Sequence, residues 1–409
     1  MSEPLINCSI SSEIGFMRDL VNQEKQRPTQ SLHQEKIADK VANKVADKAV
    51  ERAVEKVAEK VAQQNQEKVI SWSNTRYFAQ WLIDNRVSLL ISTYKQHKLL
   101  CLGLQEDGNL SLFFTDLLRP MGIYYDEKTQ TIYSSNLGNI IQYENVGENM
   151  TIIGKFDALF VPKRIDLCPD IDIHDIRYSE KYDKIFFVSP VYNSVLTVSK
   201  HKSFDVFWTP NFISKTHNGK LSREDRCHLN GIALVNGLPK YVTAACTRDY
   251  YYAWKEHHGE GVVIDIETNE IVCGNLYAPH SPGWYKDRLY IGEAGTGYFG
   301  YVDLQKKEFV PKKFLPGFIR GITFVNNYAL VTLSKDRHCV CFADIPLGKT
   351  LQENGQSSMC GFCVINLESF DIIEYLEFSG VDEVYDIVAL PNIMRPRIAD
   401  FSEKFEVFF

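Results

Sequence analysis

Ile173-His-Asp-Ile-Arg-Tyr178 and His228-Leu-Asn-Gly-Ile-Ala233 share one pattern, in which polar residues and an Asp or Gly lead into an apolar run. The pattern returns in Arg119-Pro-Met-Gly-Ile-Tyr124, His280-Ser-Pro-Gly-Trp-Tyr285, Ile319-Arg-Gly-Ile-Thr-Phe324 and Val384-Tyr-Asp-Ile-Val388. Its anchors, Gly122, Asp175, Gly231, Gly283, Gly321 and Asp386, are roughly 40–65 residues apart, the length of a four-stranded propeller blade with variable loops. Further strands follow each lead-in, among them Lys184-Ile-Phe-Phe-Val-Ser189, Gly261-Val-Val-Ile-Asp265, Arg288-Leu-Tyr-Ile-Gly292 and Cys363-Val-Ile-Asn366. The last lead-in has only its first strand. Val87-Ser-Leu-Leu-Ile-Ser92, Lys98-Leu-Leu-Cys-Leu-Gly103 and Leu110-Ser-Leu-Phe-Phe114 are three strands without a lead-in. One strand plus three completes a blade, and joining the chain ends removes exposed sheet edges. The expected fold is all-β: a six-bladed β-propeller over residues 87–397, closed by N- and C-terminal strands. The alternative is seven blades, because the interval from Gly321 to Asp386 has room for an extra partial one.

Outside the ring the chain changes character. Residues 1–70 read as a low-complexity, charged helical extension: from Ser31 to Ile70 there is no Gly, Pro or aromatic residue. Basic residues recur every fourth position at Lys40, Lys44, Lys48, Arg52, Lys56 and Lys60. A four-residue repeat drifts around a helix with about 3.6 residues per turn, so its Val/Ala stripe does not hold a long coiled-coil seam. A solvated extension and a helix that binds a protein partner both fit. Residues 71–86 read as a short helix packing on the ring, from the spacing of Tyr77, Trp81 and Leu82. Residues 398–409 read as a C-terminal tail.

Composition narrows the function. With 44% hydrophobic and 12% aromatic residues the chain can build a large core. A net charge of −7 argues against a general nucleic-acid coat. No apolar run reaches the roughly 18 residues of a transmembrane helix, and the first residues lack a secretory signal pattern, so the expected location is cytoplasmic. The ten cysteines are scattered. Cys360-Gly-Phe-Cys363 has no second ligand pair and reads as a core strand. Gly295-Thr-Gly297 lies between two strands and reads as a hairpin turn, not as a phosphate loop.

In a propeller the innermost strands line a central channel, and the loops entering them meet at one mouth. The lead-ins place Arg119, His174, Asp175, His228, Asn230, His280, Arg320, Tyr385 and Asp386 there. Three readings stand side by side. His174, His228 and His280 are a sufficient ligand set for Zn or Fe. Without metal, a histidine serves as general base, with Asp175, Arg320, Tyr385 and Asp386 as further catalytic groups and Arg119 and Asn230 binding substrate. In the third reading these side chains brace neighbouring blades through hydrogen bonds. The first two make the protein an enzyme, of lyase or hydrolase type, acting on a small anionic molecule or modified peptide. The third leaves a binding scaffold.

Arg226-Cys-His-Leu-Asn-Gly-Ile-Ala233, Pro279-His-Ser-Pro-Gly-Trp-Tyr285, Leu315-Pro-Gly-Phe-Ile-Arg-Gly321 and Val384-Tyr-Asp-Ile-Val-Ala-Leu-Pro391 resemble a bacterial family of conserved hypothetical proteins with a domain of unknown function. Cys360-Gly361, Ile173-His-Asp175 and Arg119-Pro-Met-Gly122 fall in the same order, and the resemblance covers about residues 77–397. It implies membership and brings no activity or cofactor with it. Family members tend to lack the second cysteine, Cys363, which weakens a CxxC reading further. By fold analogy, six-bladed propellers of the gluconolactonase and strictosidine synthase type, peptide-amidating lyases and antibiotic lyases work at the channel mouth.

Overall fold

Short β-branched and aromatic runs, many of them closed by a Gly, Asn or Asp turn, form the strands of this protein. The computed structural model describes residues 70–147, 156–335 and 345–399. The first described elements are β1 (Ser71–Asn74), α1 (Phe78–Asn85), β2 (Val87–Thr93), β3 (Lys98–Leu104) and β4 (Leu110–Asp116). Next come β5 (Ile123–Asp126), β6 (Thr131–Asn136), β7 (Asn139–Asn145) and β8 (Ala158–Leu167), then β9 (Asp175–Ser179), β10 (Lys184–Ser189), β11 (Ser194–Val198) and β12 (Phe204–Trp208). The second half holds β13 (Leu229–Val235), β14 (Leu238–Ala244), β15 (Gly261–Asp265) and β16 (Ile271–Leu276), followed by β17 (Pro279–Tyr285), β18 (Arg288–Glu293), β19 (Tyr298–Asp303) and β20 (Glu308–Phe314). The last elements are β21 (Phe318–Val325), β22 (Tyr328–Ser334), α2 (Pro346–Glu353), β23 (Gly361–Asn366), β24 (Ile372–Ser379), β25 (Val384–Pro391) and β26 (Pro396–Ile398).

These strands make six sheets. Their innermost strands, β5, β9, β13, β17, β21 and β25, touch one another in a closed circuit. The fold is a six-bladed β-propeller. Closure follows the one-plus-three scheme: β25 pairs antiparallel with β2, from Val87 opposite Pro391 to Thr93 opposite Val384, in a sheet ordered β25-β2-β3-β4. The interval from Gly321 to Asp386 contains α2 and the rest of its own sheet; among the described residues it holds no seventh blade.

Two blades carry a fifth, outer strand. β1 pairs with β24, Ser71 opposite Ser379, and β26 runs parallel to β8. The segment 71–86 is therefore not one helix. Ser71–Asn74 is drawn into a sheet edge, where its backbone finds ladder partners, and the helix begins only at Phe78. Phe78, Trp81 and Leu82 form its buried face, whereas Tyr77 is 62% exposed. Phe78 packs edge-on against Phe362 and Trp81 against Tyr328. The ring extends through β26, so Ile398 belongs to a blade and not to a tail. All of the expected helical extension except Ile70, and residues 400–409 of the expected tail, lie outside the described residues.

Apolar faces of adjacent blades interlock into a core containing Phe186, Val242, Ile264 and Val331 among others. Two anchor glycines let the inner strands approach closely. A Cβ on Gly122 would sit 2.7 Å from Asp175 Cα, and one on Gly321 would sit 2.5 Å from Asp386 Oδ1. Cys360 and Cys363, three residues apart on extended chain, enter different core clusters, and burial pushes both thiols up to about 12. They act as buried hydrophobes. Gly295–Gly297 forms the turn between β18 and β19, with Gly297 at φ +79.

Candidate functional site at the channel mouth

Strand polarity decides which loops surround the lead-ins. Each inner strand starts at the mouth and the second strand of its blade returns to it, so the loops between second and third strands rise on that same face. They include Tyr94–His97, Pro190–Asn193 and the long segment from Ala245 to Glu260. Cross-loop contacts agree: Asn193 Oδ1 accepts the Arg226 and Cys227 amides, both at 3.0 Å, and the Arg119 amide donates to His97 Nδ1 at 3.0 Å.

His174 and His228 form the centre of the mouth. The His174 amide donates to the Val188 carbonyl at 3.0 Å, which continues the β9–β10 ladder and fixes the backbone. The ring Nδ1 lies 2.9 Å from the Asp172 carbonyl oxygen; that oxygen can only accept, so Nδ1 carries the proton and Nε2 the lone pair. Burial pushes the imidazole down to about 4, so it is neutral at pH 7. His228 has a φ of 52°, and its Nδ1 lies 2.9 Å from Asp225 Oδ2. The same carboxylate oxygen accepts the Trp254 indole N–H at 2.8 Å, and the Trp254 ring stacks on His228 at 4.2 Å. Burial works against the Asp225 charge, yet His228 and the Trp254 hydrogen bond outweigh it and hold the carboxyl below its usual range. Asp225 Oδ1 is buried and has no hydrogen-bond partner. The rings of His174 and His228 meet edge-on at 4.9 Å.

Tyr385 approaches from the opposite side and meets His174 edge-on at 5.8 Å. Its hydroxyl is buried without a hydrogen-bond partner, and burial raises it well above the ordinary tyrosine range. The Arg320 guanidinium lies 5.4 Å from the Tyr385 ring centroid, 3.2 Å from His280 Nε2 and 3.7 Å from Glu383 Oε1. Glu383 also faces Lys95 at 3.3 Å. A continuous series of contacts thus runs around the ring of inner strands: Trp254, His228, His174, Tyr385, Arg320, His280.

The other predicted residues are placed differently. Asp175 Oδ2 accepts the Ile232 amide of the next blade at 2.9 Å, and its Oδ1 pairs with Arg177 at 2.5 Å. Asp386 Oδ2 accepts the Ile123 amide of its neighbouring blade at 3.1 Å, while Oδ1 accepts the Ile387 amide at 2.9 Å. Both carboxylates staple adjacent inner strands. Burial raises both, with Asp386 reaching about 7 as Asp175 adds repulsion. Asn230 Oδ1 accepts the Thr243 hydroxyl at 2.7 Å, which leaves Nδ2 buried and unpartnered. Arg119 is tied to Asp170 at 2.7 Å, beside a cleft lined by Met121, Leu137 and Ile171.

The three histidines divide between two groups: His174 meets His228 edge-on, while His280 sits with Arg320. His280 Nε2 faces the Arg320 cation, and among the described residues no group of three or more His, Cys, Asp or Glu is arranged to hold a metal ion. Asp225, Trp254 and Glu383 were missed from sequence. Asp225 stands three residues before His228, a spacing that a loop can fold into a pair; Trp254 is distant in sequence and its only signal was the dense aromatic run Tyr250–Trp254.

Fold and site together define a six-bladed propeller whose lead-in loops gather polar and aromatic side chains at one mouth. The chain belongs to the family described as a domain of unknown function, DUF4915, whose profile matches residues 76–399. No curated protein matches it. Among solved structures, a chain of a nidogen/laminin complex matches at TM-score 0.49 and 11% identity, covering 75% of this chain and 99% of that one. A protein of unknown function from Bacteroides caccae matches at TM-score 0.43 and 11% identity, over 74% of this chain and 98% of that one. Among the described residues no helix is long and apolar enough to cross a membrane.

Proposed function

We propose that the channel mouth is the active site of a hydrolase or lyase in which His228 is the general base. The observation that carries this reading is the 2.9 Å contact of His228 Nδ1 with Asp225, a carboxylate itself fixed by the Trp254 indole. This geometry leaves Nε2 as the proton-accepting atom and lets Asp225 stabilise the imidazolium once it forms. His174, neutral at pH 7, offers a second Nε2 lone pair beside it. Tyr385 Oη and Asn230 Nδ2, both lacking partners, are available to orient a substrate. The base would act on a water attacking an ester or lactone, or on an acidic C–H beside a carbonyl.

A panel of neutral esters, lactones and uronate methyl esters tests the proposal. Turnover of one of them should fall about 10²–10⁴-fold in His228→Gln, with the fold intact by circular dichroism. Full activity in that variant, or no turnover of any panel member, contradicts it. A binding scaffold is the second reading, and the Asp175 and Asp386 staples favour it for those two residues, because their oxygens are engaged by backbone amides and Arg177.

A further inference from the structure

The loop between β14 and β15 carries Tyr250-Tyr-Tyr-Ala-Trp254 on the mouth face. Three consecutive tyrosines there are exposed, Tyr250 by 43%, Tyr251 by 56% and Tyr252 by 38%. Exposed aromatic clusters are costly to leave in water and mark contact sites. This cluster is also held rigid. The Tyr250 hydroxyl bonds Glu256 at 2.9 Å and His257 at 2.7 Å. Tyr251 stacks on Tyr252 at 3.9 Å, and the Lys255 ammonium lies 3.4 Å from the Tyr252 ring centroid. Tyr252 adopts a φ of 58°, unusual for a bulky residue, and its amide donates to the Asp225 carbonyl at 2.7 Å. Asp249 at the root of the arm takes Arg226 at 2.7 Å, and Glu260 takes Arg248 through two hydrogen bonds of 2.7 and 2.8 Å. The arm that presents the tyrosines therefore shares Asp225 with the site beneath.

Charge selects the ligand. Lys255 already occupies an aromatic face, so a cation meets like charge there. Arg226 and Arg248 are committed to carboxylates, and Asp225 keeps a buried oxygen without a partner, so an anion meets repulsion as well. What remains is a neutral molecule with flat C–H faces for the rings and hydroxyls for the unpartnered Asn230 Nδ2, Tyr385 Oη and Asp225 Oδ1.

We infer that the Tyr250–Trp254 arm is the stacking rim of a saccharide subsite, which receives the neutral pyranose part of an ester- or lactone-bearing substrate beside the His228–Asp225 pair. This rests on the mouth being a ligand site, and it names the substrate class of that site.

Isothermal titration with cello-, chito- and galacto-oligosaccharide tetramers tests it, with an acidic and a basic peptide as comparison ligands. At least one neutral tetramer should bind, with affinity falling at least tenfold in Tyr251→Ala and in Tyr250→Ala and retained in Tyr251→Phe. Binding of none of the tetramers, binding only of a peptide, or saccharide binding unaffected in the double Tyr250→Ala/Tyr251→Ala variant overturns the inference. Failure of the base proposal looks different: saccharide binds through the tyrosines, but no panel substrate is turned over.

Discussion

Tyr385 and His174 meet edge-on with ring centroids 5.8 Å apart, although β25 and β9 belong to blades separated by the β5 blade. The contact bridges two blades that are not neighbours, at the level where the lead-ins converge. Tyr385→Phe keeps the ring and removes a hydroxyl that has no partner in the folded protein. Its thermal stability should match or exceed wild type by up to about 1 kcal/mol, because a buried unpaired hydroxyl is unfavourable. Tyr385→Ala should cost about 3–5 kcal/mol by opening a cavity at the same place. Denaturant titration of both variants checks the contrast.

The Asp386 staple makes stability depend on pH in a defined direction. Its folded-state value is raised to about 7 from an ordinary 3.8, so the folded protein holds a proton that the unfolded chain releases. The resulting stabilisation is fully present below about 3.8 and is lost as pH rises through about 7. Asp175 is raised by burial too and adds in the same direction. The stability of wild type minus that of Asp386→Asn should therefore shrink from pH 4 to pH 8. A difference that stays flat across this range contradicts the buried, proton-holding carboxyl.

His174 contributes with the opposite sign. Its folded value is depressed to about 4 from 6.5, so its contribution is present above 6.5 and is lost as pH falls towards 4. His174→Phe should lose less stability than wild type on acidification through that window. Thermal melts between pH 4 and pH 7 would show the two curves converging at the acid end.

Where a lead-in carries glycine, the neighbouring blade leaves no space for more. Gly321→Ala places a Cβ within 2.5 Å of Asp386 Oδ1, and Gly122→Ala places one within 2.7 Å of Asp175 Cα. Each should destabilise by about 2–3 kcal/mol, since the obstruction is a stapled inner strand and not a mobile side-chain tip. Gly108→Ala is the comparison: no atom lies within 4 Å of its added Cβ, although its φ of +82 leaves backbone strain as a smaller cost.

The ring was legible because its signal repeats. Six lead-ins fixed the inner strands, and Val384–Leu390 with Val87–Ser92 fixed the closure, since an unpaired strand at one end and a three-stranded remainder at the other have one economical solution. Local pattern misled at residues 71–86, where a sheet edge captured Ser71–Asn74 and the buried face turned on Phe78 in place of Tyr77. The polar set at the mouth was legible as a group, but not the role of each member. Whether an aspartate takes up a backbone amide, as Asp175 does with Ile232, or an imidazole, as Asp225 does with His228, depends on loop geometry that spacing does not encode. Likewise, Arg320 disperses the histidine trio by taking His280 as a partner.

The most direct test of the central claim is the protonation pattern of the two imidazoles, read by long-range ¹H–¹⁵N correlation at a pH where both are neutral. Free histidine favours the tautomer protonated at Nε2. The Asp172 carbonyl beside His174 and the Asp225 carboxylate beside His228 require the opposite tautomer, with the proton on Nδ1 and the lone pair on Nε2. Wild type should show the Nδ1–H pattern for both rings, and Asp225→Asn should disturb it for His228 alone. An Nε2–H pattern for His228 in wild type would contradict the account, because that ring would then have no lone pair facing the mouth with which to take a proton.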